Sequence, residues 1–210
     1  MGSTVRAFMV TGAKRADRAL VAEAREGETA ARERLAKQVG ESAYVFALQL
    51  TRSPEDARDI AQESVLRFFA HLDSFDPERA VEPWLFGIVR NQVRDTARRE
   101  RVRRHESLDR WIEQGGAEPA SSDDPAAAAQ RHELQRQVWR AISDLNDEHR
   151  EILVLRDYHG LSYRDLAEAL AIPAGTVMSR LHAARRRLRE VLIDLGMERA
   201  GSETTPRGDR

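Results

Sequence analysis

No cysteine occurs in the 210-residue chain, which excludes disulfides, thiolate metal sites and thiol redox sensing within it. Aromatic residues make up only 6%, fewer than a large β core needs and in keeping with small helical units that expose polar faces. No apolar run approaches the roughly 18 residues that cross a bilayer, and the first residues, MGSTVRAFMVTGAKR, contain no signal-peptide core. A cytoplasmic protein with no membrane insertion is expected, with Met9 an alternative start. Lysine is scarce as well: of 34 basic residues only Lys14 and Lys37 are lysines. His149 and His159 lack the helical spacing of metal ligands and are expected at the surface, so neither a metal nor another cofactor is expected. The chain shows no nucleophile-base pair and no phosphate-cradling glycine loop, which argues against an enzyme.

What is present is charge, unevenly placed. The formal net charge is -1, yet Arg90 to Arg104 holds seven arginines against Asp95 and Glu100, and the following stretch from His105 to Ala127 holds six acidic residues against Arg110 alone. A basic block followed by an acidic one suggests a nucleic-acid surface beside a segment that stays off it or mimics it.

The most informative stretch runs from Leu161 to Arg189, LSYRDLAEALAIPAGTVMSRLHAARRRLR. Ser162 and Asp165 form a capping box for a first helix whose inner side is Leu166, Ala167 and Leu170. Ile172-Pro173 ends it and starts a second. At about 100° per residue, Val177, Leu181, Ala184 and Leu188 share one face of that second helix, and Ser179, His182, Ala183 and Arg186 lie opposite. Such a helix-turn-helix packs by its apolar stripe and enters a major groove.

Upstream, helical patterns cover Arg18 to Arg25 and Glu28 to Leu50, divided near Gly27, with Leu35, Val39, Val45 and Leu48 facing a core. Ser53-Pro54-Glu55-Asp56 is a sharp helix start, combining a capping hydroxyl, a first-turn proline and two carboxylates. In the helix that follows, Ala57, Ala61, Val65, Phe68 and Leu72 share one face, while Asp56, Asp59, Glu63, Leu66 and Ala70 share the other, where a leucine among carboxylates suits a protein-binding surface. A turn-rich loop from Ser74 to Pro83 leads to a helix from Trp84 to about Arg104, with a Leu85, Ile88, Val89, Val93 stripe and Arg90, Asn91, Arg94, Arg98 and Arg101 opposite. Aromatic side chains beside arginines and an asparagine suit single-stranded DNA, with at least one of Trp84 and Phe86 expected in the core. From Ser107 to Ala128 the composition is that of a linker. Beyond it, Leu134, Val138, Ile142 and Leu145 mark one helix and Asp147 to Tyr158 another.

The order of these parts resembles the extracytoplasmic-function (group 4) sigma factors of the sigma-70 family, which direct bacterial RNA polymerase to promoters. The resemblance spans roughly Arg18 to Leu195 and rests on SPEDARDIAQESVLRFFAHLDSF, EPWLFGIVRNQVRDTARR and HREILVLRDYHGLSYRDLAEALAIPAGTVMSRLHAARRRLR. It implies an all-α fold of two small helical domains on a flexible acidic linker, the C-terminal one containing the helix-turn-helix. The expected boundaries are a tail at 1–14, a region 2 domain at 15–104, the linker at 105–128, a region 4 domain at 129–196 and a tail at 197–210.

The same resemblance implies partners and site residues. Asp59, Gln62, Glu63 and Leu66 would dock on the clamp of the largest polymerase subunit, and the C-terminal domain on the flap of the second subunit. Phe75, the loop to Pro83 and Asn91 would hold a base flipped from the minus-ten element, with Trp84 supporting them and Arg90, Arg94 and Arg98 on the strand's backbone. Thr176, Ser179, Arg180, His182 and Arg186 would contact the minus-thirty-five duplex. An anti-sigma factor is a further partner the resemblance implies, with no residue here to identify it. Departures from the family pattern are Ala31 and Ala36 where aromatics are common, Asn146-Asp147 in place of a proline pair, and Met178 in place of a lysine. Two rival readings are a dimeric regulator acting on palindromic duplex DNA, and a metal-dependent nucleic-acid enzyme.

Overall fold

A computed structural model describes residues 18–76, 79–100 and 125–197, without the side chains of 99–100 and 125–132. Every regular element among them is a helix. The expected tail at 1–14, nearly all of the tail at 197–210, the linker up to residue 124 and Arg101 lie outside the described residues. No described helix is long and apolar enough to cross a membrane.

Helix α1 (Arg18–Arg25) turns at Gly27, whose φ of 90° lies in the left-handed region open to glycine, into the long α2 (Thr29–Thr51). Ser53 then caps α3 (Pro54–Ala70) by accepting from the Asp56 amide, with Pro54 in the first turn as its sequence requires. A 3₁₀ turn at Leu72–Ser74 leads to α4 (Val81–Glu100). Leu35, Val39, Phe46, Ala57, Phe68, Leu72, Leu85 and Val89 close the core of these four helices, with Val45, Leu48 and Val65 partly buried against it.

Helix α5 spans Pro125–Ser143 and so begins inside the stretch expected as linker, where four consecutive alanines favour a helix. Asn146 caps α6 (Asp147–Leu153) by accepting from the His149 amide at 2.8 Å. From α6 Arg150 reaches back to the carbonyls of Ser143 at 2.9 Å and Leu145 at 2.6 Å, closing the end of α5. Burial, and then the nearby Arg52, lowers its pKa from the ordinary arginine value.

Helix α6 continues into one π-turn, Val154–Tyr158, closed by the His159 amide on the Val154 carbonyl at 3.1 Å. Gly160, at φ 71°, then frees the chain to turn into α7 (Tyr163–Leu170). Ser162 and Asp165 form the expected capping box, each accepting from the other's backbone N–H at 3.2 Å. Ala171, left-handed at φ 51°, makes the turn into α8 (Ala174–Asp194), whose buried side is Val177, Leu181, Ala184, Leu188 and Val191.

The two groups of helices, α1–α4 and α5–α8, pack directly on one another. An ideal Cβ at Gly87 of α4 would lie 3.6 Å from the Ala169 carbonyl of α7, in ordinary van der Waals contact, which marks how directly these two helices meet.

Candidate nucleic-acid and polymerase interface

Helix α8 presents Ser179, His182 and Arg186 outward, with Thr176 half-buried at its start. Its apolar stripe is taken up by α5–α7, so the opposite face has to be polar and wet, as the 3.6-residue period demands. Arg186 forms no ion pair among the described residues. Arg180 differs: its side chain is 18% exposed and pairs with Glu148 at 3.3 Å, held to α6 rather than directed outward. Arg185 pairs with the buried Asp157 of the π-turn at 2.6 Å. Met178 stands 65% exposed, an apolar side chain beside the polar face.

On α3, Asp59, Gln62 and Glu63 are all exposed and Leu66 is 60% so. Glu63 makes an i,i+4 pair with Arg67 at 2.9 Å, worth only about 0.3–0.5 kcal/mol at such exposure. The result is an open leucine ringed by negative and polar side chains.

At the start of α4, Trp84 stacks on Phe75 with ring centroids 4.7 Å apart and planes at 15°, and meets Phe68 at 4.7 Å. Phe75 is buried, so it belongs to the core that supports the half-exposed Trp84. Phe86, two residues on and so on the opposite side of the helix, is wholly buried. Asn91, Arg94 and Arg98 are exposed as residues.

Arg90 departs from its expected position on a free basic face, being only 6% exposed. Its Nε donates to Glu151 Oε2 of α6 at 2.8 Å, while Arg94 donates through NH2 to the same oxygen at 3.1 Å and through Nε to Oε1 at 3.3 Å. Glu151 is 2% exposed. Arg79, in the loop before α4, pairs with Glu168 of α7, and this bond raises its pKa. Glu151, Glu168 and Arg79 are not among the site residues expected from the sequence. One signal was available: Arg150-Glu151 interrupts the apolar pattern of HREILVL, and charges set within such a run are buried with partners.

His159 is likewise not the surface residue expected. The π-turn and Gly160 swing it against α2 and α4, where its ring centroid lies 4.4 Å from Phe86, 5.4 Å from Phe46 and 4.9 Å from Tyr158. Its Nε2–H donates to Gln49 Oε1 at 2.9 Å, and Nδ1 is buried without a partner. Burial alone drives its pKa from 6.5 down to about 3, so the ring is neutral.

A helix-turn-helix with an open polar face, joined to a helical unit carrying an arginine row, defines a nucleic-acid-binding class. Comparison with known proteins narrows this to a family. The sigma-70 region 2 family matches residues 35–103, and the sigma-70 region 4 family residues 135–188. The ECF RNA polymerase sigma factor SigL of Mycobacterium tuberculosis is 36% identical over 155 residues, 73% of this chain and 84% of that protein. SigW of Bacillus subtilis is 32% identical over 160 residues, covering 72% and 83%, and SigE of Mycolicibacterium smegmatis 32% over 168 residues, covering 80% of this chain but 64% of SigE. Among solved structures, CnrH in complex with the cytosolic domain of CnrY superposes with a TM-score of 0.60 at 25% identity, over 85% of this chain and 97% of that one. RpoE in complex with the anti-sigma factor NepR, from Bartonella quintana, gives 0.57 at 26%, over 77% and 96%. The chain belongs to the extracytoplasmic-function sigma factors of RNA polymerase, and its role lies in transcription initiation.

Proposed function

We propose that this sigma factor binds the polymerase core, recognises promoter minus-thirty-five and minus-ten elements and promotes strand separation, without a catalytic step of its own. The observation that carries the reading is the open polar face of α8, where Ser179, His182 and Arg186 stand clear of every helix that packs on its apolar stripe. These residues, with Thr176, read the upstream duplex, and Arg180 joins them only by leaving Glu148. Trp84 and Asn91 receive the unstacked minus-ten bases, Phe75 backs Trp84, and Arg90, Arg94 and Arg98 follow the separated strand. The first-group helices form the region 2 domain and the second-group helices, from Pro125 on, the region 4 domain.

The α3 face of Asp59, Gln62, Glu63 and Leu66 docks on the clamp of the largest subunit, and the α5–α8 group on the flap of the second. The cytoplasm is the compartment this implies. An anti-sigma protein is a fitting further partner, since RpoE of Bartonella quintana is named in complex with the anti-sigma factor NepR.

Transcription in vitro with bacterial core polymerase on a genomic fragment pool tests the proposal. New start sites sharing two unlike upstream elements at fixed spacing are expected; absence of start sites together with absence of core binding would overturn it and favour an autonomous duplex regulator. Asp59→Arg combined with Glu63→Arg is expected to weaken core binding by about a hundredfold, a hot-spot-sized loss, with an unchanged circular dichroism spectrum; normal core affinity would refute the docking surface.

A further inference from the structure

Successive residues of α8 are about 100° apart, so Arg185 follows the buried Ala184 onto the flank of the helix, and Arg186 goes on to the outward face. A helix with its side chains is about as wide as a major groove, roughly 10–12 Å. In the groove its outward face meets base edges and its flanks meet the two phosphate walls. An arginine on the flank is therefore within reach of backbone rather than of bases.

Arg185 is not a free cation. Its Nη2 donates to Asp157 Oδ1 at 2.6 Å and its Nε to Oδ2 at 3.4 Å. Both bonds lie along one edge of the guanidinium and use two of its five N–H groups. The end-on edge, Nη1 with the second N–H of Nη2, has no partner among the described residues, and it is a fork that fits two oxygens of a phosphate. The Asp157 side chain is 7% exposed and that of Arg185 41%, so the anchor is buried while the cation is open. Neighbouring arginines lack that combination: Arg180 is largely covered beside Glu148, and Arg187 pairs with a Glu190 as exposed as itself.

We infer that Asp157 is a positioning residue for duplex binding, holding Arg185 by one edge so that the other clamps a backbone phosphate beside the upstream element. The inference rests on the reading of α8 as the duplex face. A free arginine loses rotamer freedom when it takes a ligand. Asp157 has already fixed that side chain in the folded protein, so less is lost on contact with DNA. Against this stands the repulsion between a carboxylate and a nearby phosphate. Removing the charge thus has two effects of opposite sign, and their balance decides the role of Asp157. A phosphate carries no sequence, so the contact fixes register and serves every upstream element alike.

The test uses the full chain and a fluorescent pool of random-sequence duplexes, with affinity measured over a salt series. Arg185→Ala is expected to weaken binding about tenfold, as loss of a charged hydrogen bond does, and to reduce the slope of log affinity against log salt by about one. An unchanged slope would remove Arg185 from the backbone contacts and overturn the proposal. Asp157→Asn keeps the side-chain shape and makes the chain more positive. With Arg185 in place it is nonetheless expected to weaken binding about fivefold, whereas in the Arg185→Ala background it is expected to leave binding unchanged or tighter.

Tighter binding by Asp157→Asn with Arg185 present would make the carboxylate a brake on DNA and overturn the positioning role. Equal weakening in both backgrounds would reduce Asp157 to a support of the helix packing and overturn it as well. Wild-type binding to duplex with either of those results counts against the positioning role alone. Absence of duplex binding by the wild-type chain counts against the reading of α8 itself, and the inference falls with it.

Discussion

Helices α4 and α8 are built alike, an apolar stripe backed by arginines, and they end in different states. On α4, Arg90 and Arg94 are neutralised by a carboxylate from the other half of the chain, Phe86 meets the His159 ring and Gly87 faces the Ala169 carbonyl of α7. On α8, Arg180 and Arg185 are held by Glu148 and Asp157 of their own group, while Arg186 and its neighbours on the outward face are exposed. The difference does not come from local sequence, since each helix has the same period and the same residue types. It comes from which acid each arginine meets: partners within the group leave a face intact, and a partner across the interface removes it from solvent.

The strongest way to break the contrast is through Phe86, which is wholly buried between Phe46 and His159. Phe86→Ala is expected to cost about 3–5 kcal/mol in urea unfolding, because it opens a void in both the α1–α4 core and the interface. Arg186→Ala addresses the exposed side alone. It is expected to lose about 1–3 kcal/mol of discrimination at the upstream element, read as start-site usage on mutated promoters, with stability and core binding unchanged; unchanged promoter preference would remove Arg186 from the reading set.

Acid sharpens the comparison because it acts on the buried side. His159 is neutral in the packed chain, with a pKa near 3, and returns toward 6.5 when exposed. The unfolded or parted chain therefore binds the extra proton. The stability this residue supports is whole above pH 6.5 and is lost as pH falls toward 3, by about 1.4 kcal/mol per pH unit at the steepest. The acids beside the ring are Glu82 of α4 and Asp165 of α7, which line a small cavity with it, while α2 offers the neutral Gln49. Thermal unfolding of wild type between pH 7 and 5 is expected to fall more steeply than that of His159→Phe; parallel curves would place the ring in solvent. The smallest effect concerns Ala171, at φ 51° in the turn before α8. Ala171→Gly is expected to stabilise by up to about 1 kcal/mol, since the left-handed region carries no side-chain penalty for glycine, and to leave DNA preference as it was.

Much of this was legible in the residue order. Ser53 and Ser162 cap the helices their neighbours announce, and the stripe Val177, Leu181, Ala184, Leu188 faces inward as its period requires. The exposed Leu66 among acids was legible for the same reason, because a helical period assigns faces. Arg90 and His159 were not. A one-dimensional pattern can place Arg90 on the polar face of α4, but Glu151 lies 61 residues away, and only the packing of α6 on α4 turns that polar face into an interior. His159 depends on a π-turn, which apolar periodicity tuned to 3.6 residues does not register. Phe75 and Trp84 fell between these cases: the resemblance implied one site with Trp84 as its support, and the structure makes the buried Phe75 the support and leaves Trp84 the half-open ring.

The π-turn at Val154–Tyr158 amounts to one surplus residue in an otherwise regular helix. Everything before it, Glu151 included, keeps one angular setting, and everything after it, His159 included, is rotated by the surplus. Closure of this chain thus depends on residue count as much as residue identity. A single-codon deletion in that helix would remove one side chain and turn the others on one side of the deletion away from their partners, so length, as well as substitution, is a change by which a lineage switches such packing off.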